Sequence, residues 1–148
     1  MPQGKKSSAE AEALGRSRGG FSTKVHVLCD ALGNPVRFIL TPGQQADITQ
    51  AAALLADHQP AAILADKGYD SNALLAFIAN LDAQAVIPPK SNRVEPRELD
   101  HYLYAERNQV ERLFNRLKHY RRLATRYDKT ARNFLAFWHI AATIMLLL

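Results

Sequence analysis

Between Phe21 and Cys29 the side chains alternate, with Phe21, Thr23, Val25, Val27 and Cys29 on one side and Ser22, Lys24 and His26 on the other. A period of two is that of a half-buried strand. The turn cluster Asp30-Ala31-Leu32-Gly33-Asn34-Pro35 follows, and Val36–Leu40 resumes as a second strand, so the pair forms a hairpin.

The remaining signals alternate between helix and strand. Thr41-Pro42-Gly43 breaks the hairpin, and Asp47 is placed to cap a helix from Ile48 to Ala56. The apolar run Ala61–Ala65 stops at Asp66, as expected of a buried strand that presents an acid at its C-terminal end. Asp70 or Ser71 caps a helix reaching Asn80, and Ala83–Ile87 reads as a last strand ended by Pro88-Pro89. After a polar loop over 91–102, a long helix is expected from about Leu103 to His119 or beyond, and a final helix from near Asn133. This order predicts an α/β domain with a mixed sheet and flanking helices.

The length of 148 residues and the 47% apolar content fit one domain with one core. Residues 1–20 are polar and read as a mobile leader, leaving 21–148 as the domain, and no secretory signal is read in the leader. Cys29 is the single cysteine and no Cys/His cluster has zinc spacing, which favours a reducing cytoplasm. The apolar stretch 134–148 falls short of the ~20 residues of a membrane span and reads as a buried terminal helix.

Charge is distributed unevenly. Residues 1–24 hold five bases and two acids (+3), 25–106 hold five and ten (−5), and 107–132 hold nine and two (+7), which sum to the net +5. A basic helical segment beside an acidic body is the footprint of a nucleic-acid binder, and Arg112, Arg116, Arg121, Arg122 and Arg126 are its candidate DNA contacts. A solvated helix face is the alternative, although the run lacks the Glu-to-Lys pairing such a face tends to show.

On a helix of 100° per residue, Tyr104, Arg107, Glu111 and Lys118 fall within about 60° of one another. Val110, Leu113, Phe114 and Leu117 define the adjoining apolar face, while Arg112, Asn115, Arg116 and His119 lie on the wet side. Glu111 is thus expected at the edge of the buried face. A carboxylate there is either the i, i+4 partner of Arg107, worth a few tenths of a kcal/mol, or a ligand to a divalent cation. Asp66 is either a turn or capping residue, or the second ligand. Two such carboxylates, completed by water and substrate phosphate, suit Mg²⁺. In phosphodiester chemistry, a pair of ions about 4 Å apart activates the attacking oxygen and stabilises the leaving one. Asp30 and Asp47 are weaker candidates, in turn and capping contexts. His26 and His139 read as strand-face or core-edge histidines, and Trp138, Phe134 and Phe137 as core.

The string Tyr104-x2-Arg107-x3-Glu111-x6-Lys118 resembles the Y-R-E-K signature of the DDE insertion-sequence transposases. Four flanking stretches, "GRSRGGFSTKVH", "LTPGQQADITQA", "LADKGYDS" and "VIPPKSNR", are similar to the catalytic portion of the insertion-sequence-five group. The resemblance implies a ribonuclease H-like fold in which three acids bind two Mg²⁺ or Mn²⁺ ions for nicking and strand transfer at transposon ends. It makes Asp66 the second acid and Glu111 the third. Arg107 and Lys118 would contact phosphates near the transposon end, and Tyr104 would complete the signature. DNA, both ends and target, is the implied partner, with self-association in the active complex, no membrane and no small-molecule substrate, in the bacterial cytoplasm or nucleoid.

One departure stands out. The resemblance places the first acid on a central strand upstream of "GRSRGG", where this chain offers only Glu10 and Glu12 in an Ala-rich polar setting. The expectation is therefore a partial catalytic domain with its first central strand missing, resembling the downstream half of a frameshifted enzyme and inactive alone. The alternatives are a non-catalytic nucleic-acid-binding or inhibitory module, and an inactive remnant.

Overall fold

The computed structural model describes residues 8–9, 11–17 and 20–148. Part of the leader, including Glu10, lies outside them. Within the rest of it, Gly15–Ser17 forms a short strand, β1, antiparallel to β2 (Gly20–Cys29), with Gly15 opposite Ser22. The alternating segment and its successor form the expected hairpin, with β2 antiparallel to β3 (Pro35–Pro42) from Thr23 opposite Pro42 to Cys29 opposite Pro35. Asp30 holds the turn, its Oδ1 accepting the Leu32 and Asn34 amides at 2.9 Å each, and Gly33 supplies the left-handed φ of 81° that the reversal requires.

A 3-10 turn, Asp47–Gln50, leads into α1 (Ala51–Leu55). β4 (Ala62–Leu64), α2 (Asn72–Asn80) and β5 (Gln84–Val86) form a β-α-β unit whose strands pair in parallel. Then come α3 (His101–Ala105), α4 (Asn108–Lys118), α5 (Arg121–Ala124) and α6 (Ala131–Leu147).

The chain is thus α/β, but its strands form two sheets, one antiparallel and one parallel, where a single mixed sheet was expected. The core is divided in the same way. One cluster packs α4, α5 and α6 beneath the hairpin, with Leu113, Leu117, Leu123, Phe134 and Trp138 buried against Phe38. The other packs Ala51, Leu74, Ile78 and Ile87 beside β4 and β5. No ladder joins the sheets among the described residues, because β1 covers the outer edge of β2 only as far as Ser22 and β4 pairs on one edge alone.

Three further expectations are revised. The helix expected over 103–119 is broken, because the Glu106 and Arg107 amides bond back three residues, to the Leu103 and Tyr104 carbonyls at 3.1 and 3.0 Å, and so separate α3 from α4. Asp47 does not cap; the cap position is Ala46, and Asp47 lies inside the first turn, 3.1 Å from Lys24 Nζ. The terminal helix buries Phe134, Trp138, Ala141 and Ala142, while Ile140, Ile144 and Leu146 to Leu148 are exposed. Among the described residues no helix is long and apolar enough to cross a membrane.

Ser71 caps α2, its hydroxyl accepting the Leu74 amide at 3.1 Å. Asp70 is thereby free for another task. Its side chain is fully buried and accepts hydrogen bonds from Arg93 Nε at 2.6 Å, Arg97 Nη1 at 2.9 Å and the Lys90 amide at 2.8 Å. This knot ties the irregular 88–100 segment to the start of α2. The Arg93 hydrogen bond, opposed by burial and helped by Lys90 and Arg97, holds the Asp70 carboxyl well below the usual carboxylate range. A depressed folded pKa contributes stability in full above the unfolded value near 4, and that contribution is lost as pH falls toward the folded value. Asp70→Ala should lower the unfolding free energy at pH 7 by about 3 kcal/mol. Urea melts should show the deficit narrowing as pH drops below about 4.

Candidate active site and nucleic-acid interface

β4 ends at Leu64, and its extension carries Asp66 to the surface. The Asp66 Oδ1 accepts the Gly68 amide at 2.7 Å and caps the 3-10 turn Lys67–Tyr69, while Oδ2 has no hydrogen-bond partner among the described residues. The capping role is therefore real, and it uses one oxygen.

α4 is oriented by its apolar face. Leu113 and Leu117 are completely buried and Val110 and Phe114 half-buried, so Arg112, Asn115, Arg116 and His119 point to solvent as the wheel predicted. Glu111 is more exposed than expected, at 58% of its side chain, and its Oε1 meets Arg107 Nη2 at 2.6 Å. Arg107 also lies 5.6 Å from the centre of the Tyr104 ring. The break between α3 and α4 therefore leaves the Tyr104, Arg107, Glu111 stripe in contact, since a 3-10 turn keeps residues three apart on one side. Lys118 stands apart from these three, its Nζ 5.8 Å from the Phe114 ring centre.

Asp66 and Glu111, from different elements, line one cavity of about 320 Å³ together with Arg107, Tyr69, His26 and Asp47. Burial first, then the charges of Asp47 and Asp66, push the Tyr69 phenol up to about 12, so it stays a neutral donor. His26 is buried with its Nε2 2.6 Å from Thr41 Oγ1; burial lowers its pKa, only partly offset by Asp47 at 3.9 Å. It contributes no positive charge at pH 7. The cavity therefore concentrates carboxylates around a neutral phenol and imidazole, with Arg107 at its rim. Two carboxylates with free oxygens suit a hard cation that takes its other ligands from water and phosphate. No group of three or more His, Cys, Asp or Glu is arranged to hold a metal among the described residues.

The basic residues divide into two sets. Arg112 and Arg121 are exposed, with no side-chain hydrogen bond or ion pair among the described residues. Arg122 bonds Asp128 at 3.0 Å and stacks 4.0 Å over the Phe137 ring, yet remains 53% exposed. Arg116 reaches the Gly33 carbonyl at 3.4 Å. Arg126 points inward, donating from Nη1 to the Glu12 carbonyl at 2.7 Å and Thr23 Oγ1 at 2.6 Å and from Nε to the Asp128 carbonyl at 2.9 Å. From the sequence Arg126 reads as a DNA contact; its anchoring role, like the knot at Asp70, Arg93 and Arg97, escaped sequence reasoning. Nothing local distinguishes a buried Arg from an exposed one, or a cap-position Asp from a buried anchor.

The sequence family described as the transposase DDE domain matches residues 2–146. The chain belongs to the DDE-type insertion-sequence transposases. A transposase assigned to insertion sequence element IS6501 of Brucella ovis is 42% identical over 127 residues, which span 84% of this chain and 98% of that relative. No solved structure matches. In this transposase chain the local contacts of Asp66 and Glu111 carry little stability. Glu111→Gln should change the unfolding free energy by no more than about 0.5 kcal/mol. Asp66→Asn should cost about 1 kcal/mol or less, since Asn also caps. Thermal and urea melts at neutral pH check both.

Proposed function

We propose that this chain carries two of the three acids of a metal-dependent transposase site, Asp66 and Glu111, and that an upstream segment supplying the first Asp completes it for nicking and strand transfer. The observation that carries the reading is the meeting of Asp66 and Glu111 at one cavity from separate elements. The ribonuclease H-like arrangement belongs to the same reading, with β2 and β3 as its hairpin and β4 and β5 as its parallel pair.

Transposases of this kind act with divalent metal ions, here Mg²⁺ or Mn²⁺, which would supply an activated oxygen nucleophile and stabilise the departing one. The chain's own residues do the remaining work. Asp66 Oδ2 and Glu111 offer the anionic oxygens. Tyr69 offers a neutral hydroxyl beside them. Arg107, at the rim, and Lys118, further along α4 beside the Phe114 ring, position the substrate phosphates. Arg112, Arg116, Arg121 and Arg122 hold the flanking backbone electrostatically. Transposon ends and target DNA are the substrates, the active complex is an assembly of several copies, and the site of action is the bacterial cytoplasm or nucleoid.

A second reading, a non-catalytic nucleic-acid-binding or inhibitory module, is favoured by one observation. Both acids already have local partners, Glu111 in Arg107 at 2.6 Å and Asp66 in the Gly68 amide at 2.7 Å. Mn²⁺ titration separates the readings. Under the first, the chain binds Mn²⁺ and either Asp66→Ala or Glu111→Ala weakens binding at least tenfold; equal affinity in all three proteins would leave only the binding module.

Incubated with Mn²⁺ and a transposon-end duplex, the chain alone should not nick above an Asp66→Ala control. Asp66-dependent cleavage by the chain alone would refute the need for an upstream acid.

DNA affinity should fall steeply with salt, by a slope of about 0.9 per phosphate neutralised. Replacing Arg112, Arg121 and Arg122 with Ala should flatten the plot of log K against log salt by roughly 2 to 3. Arg126→Ala should instead lower the melting temperature and leave the slope unchanged in the folded protein. Fluorescence anisotropy from 50 to 300 mM salt, as a rough working range, provides the check.

A further inference from the structure

Aromatic rings in and beside the basic segment fall into two groups. Phe114, Phe134, Phe137 and Trp138 are engaged: Phe114 and Phe134 lie edge-on to Trp138, and the Arg126 and Arg122 guanidinium groups lie over Phe134 and Phe137. Tyr120 and Tyr127 are 38% and 67% exposed, and neither side chain has a hydrogen bond, ring contact or cation contact among the described residues. Their directions follow from what flanks them. Leu117 and Leu123, buried three residues to either side, draw the chain inward and leave Tyr120 at the surface just before α5. After α5, Arg126 turns inward to the Glu12 and Asp128 carbonyls and Arg122 grips the Asp128 carboxylate at 3.0 Å, so Tyr127 between them faces out.

Cations surround both rings. Residues 118–129 hold Lys118, Arg121, Arg122, Arg126 and Lys129 against Asp128 alone. The Asp128 side chain is 7% exposed and committed to Arg122, so it adds little negative charge at the surface. Lys118, Arg121 and Lys129 are exposed, with no ion pair among the described residues. Phosphate binding accounts for these cations but not for the rings. A duplex backbone needs only the charges, and paired bases, stacked on one another, offer a protein ring no open face. Unpaired bases do offer one. Aromatic rings interleaved with cations suit such a strand, the charges following its backbone while the rings stack on its bases.

We propose that Tyr120 and Tyr127 are stacking sites for unpaired bases of a DNA strand whose phosphates lie along Arg121 and Lys129. This face then takes a single-stranded end next to a duplex held by the other exposed arginines. The inference deepens the transposase reading and rests on it for DNA as the ligand, not for the metal site. A tyrosine has only two side-chain torsions to immobilise, and the backbone on either side of each ring is already fixed by Leu117, Leu123, Arg126 and Asp128. Tyr102 supplies the contrast. Its ring is 95% exposed, but residues 95–106 hold Glu95, Glu98, Asp100 and Glu106 against Arg97, which is tied to Asp70. A base stacked there would bring its phosphate against carboxylates, so exposure alone does not make a stacking site.

The probes are a blunt duplex and the same duplex carrying an oligo(dT) overhang of about eight nucleotides, both used with the full chain and without divalent cations. A 2-aminopurine in the overhang reports stacking by loss of its fluorescence. The chain is expected to bind the overhang DNA more tightly than the blunt duplex and to quench the 2-aminopurine. Tyr120→Ala and Tyr127→Ala are each expected to weaken overhang binding about fivefold or more while leaving blunt-duplex affinity within about twofold. The slope of log K against log salt stays as it was, because no phosphate contact is lost. Tyr120→Phe and Tyr127→Phe keep the affinity and the quenching, and Tyr102→Ala changes neither. Equal losses on both DNAs, loss of overhang affinity from only one or neither of the two alanine variants, or an equal loss from Tyr102→Ala would each overturn the proposal. Its failure is distinguishable from that of the reading beneath it. Steeply salt-dependent binding of both DNAs, indifferent to the two tyrosines, removes the stacking sites and keeps the basic DNA surface; binding of neither DNA removes both.

Discussion

The packing of α4 onto the hairpin is the contact on which the site depends. Leu113 and Leu117, wholly buried against the cluster of Phe38, Phe134 and Trp138, leave the helix one way to sit. Fully burying a leucine is worth about 2 kcal/mol, more than any single exposed ion pair on the same helix. Rotation of α4 is therefore set by apolar contacts, and the charged residues take the directions that remain. Arg112 goes to solvent, Phe114 to the cavity wall, and Glu111 to the rim where Asp66 arrives from β4. The aromatic group around Trp138, with Phe114 and Phe134 edge-on at 6.1 and 6.2 Å, fills the space beneath.

The basic segment divides by the same logic. A guanidinium can donate five hydrogen bonds, and where carbonyls lack partners nearby it is drawn in. Arg126 gathers carbonyls from residues 12, 128 and 129 and the Thr23 hydroxyl, and so holds the chain before β1 against the turn leading into α6. The Glu12 carboxylate completes the junction by accepting the Ala131 amide at the start of α6, at 2.6 Å. Burial lowers the Arg126 pKa although Glu12 and Asp128 oppose the shift. A charge so used is unavailable to a phosphate, and the nine bases of residues 107–132 overstate the number presented to DNA.

The hairpin and the β-α-β unit were legible because their periods and turn residues are local. The alternation from Phe21 to Cys29 and the Asp-x-x-Gly-Asn turn needed no distant partner to be read. The candidate acids were legible because a strand end and a helical stripe are also local patterns. What escaped was decided by contacts between distant segments. Whether β2 and β4 share a sheet is decided by main-chain pairing between segments far apart in the sequence, and here they lie in separate sheets. Whether Asp70 caps or anchors depends on Arg93 and Arg97, more than twenty residues away. The break before α4 hangs on a hydrogen-bond choice at Glu106 and Arg107 that side-chain periodicity does not record.

The position of Arg107 gives the carboxylates a further property. Its bond to Glu111 Oε1 at 2.6 Å uses one of the oxygens that a divalent cation would also seek. The two cannot share that oxygen at full strength, so on the proposed reading a bound cation would weaken the hold of Glu111 on Arg107. The pair is exposed enough that separating it costs only a few tenths of a kcal/mol, which is small beside the attraction between a doubly charged ion and two carboxylates in a half-enclosed cavity. A guanidinium released at that rim would still have the Tyr104 ring, now 5.6 Å from its centre, as a neighbour and would be open to a phosphate. On the proposed reading, the same short ion pair that makes Glu111 look merely structural would hold Arg107 close to the substrate phosphate.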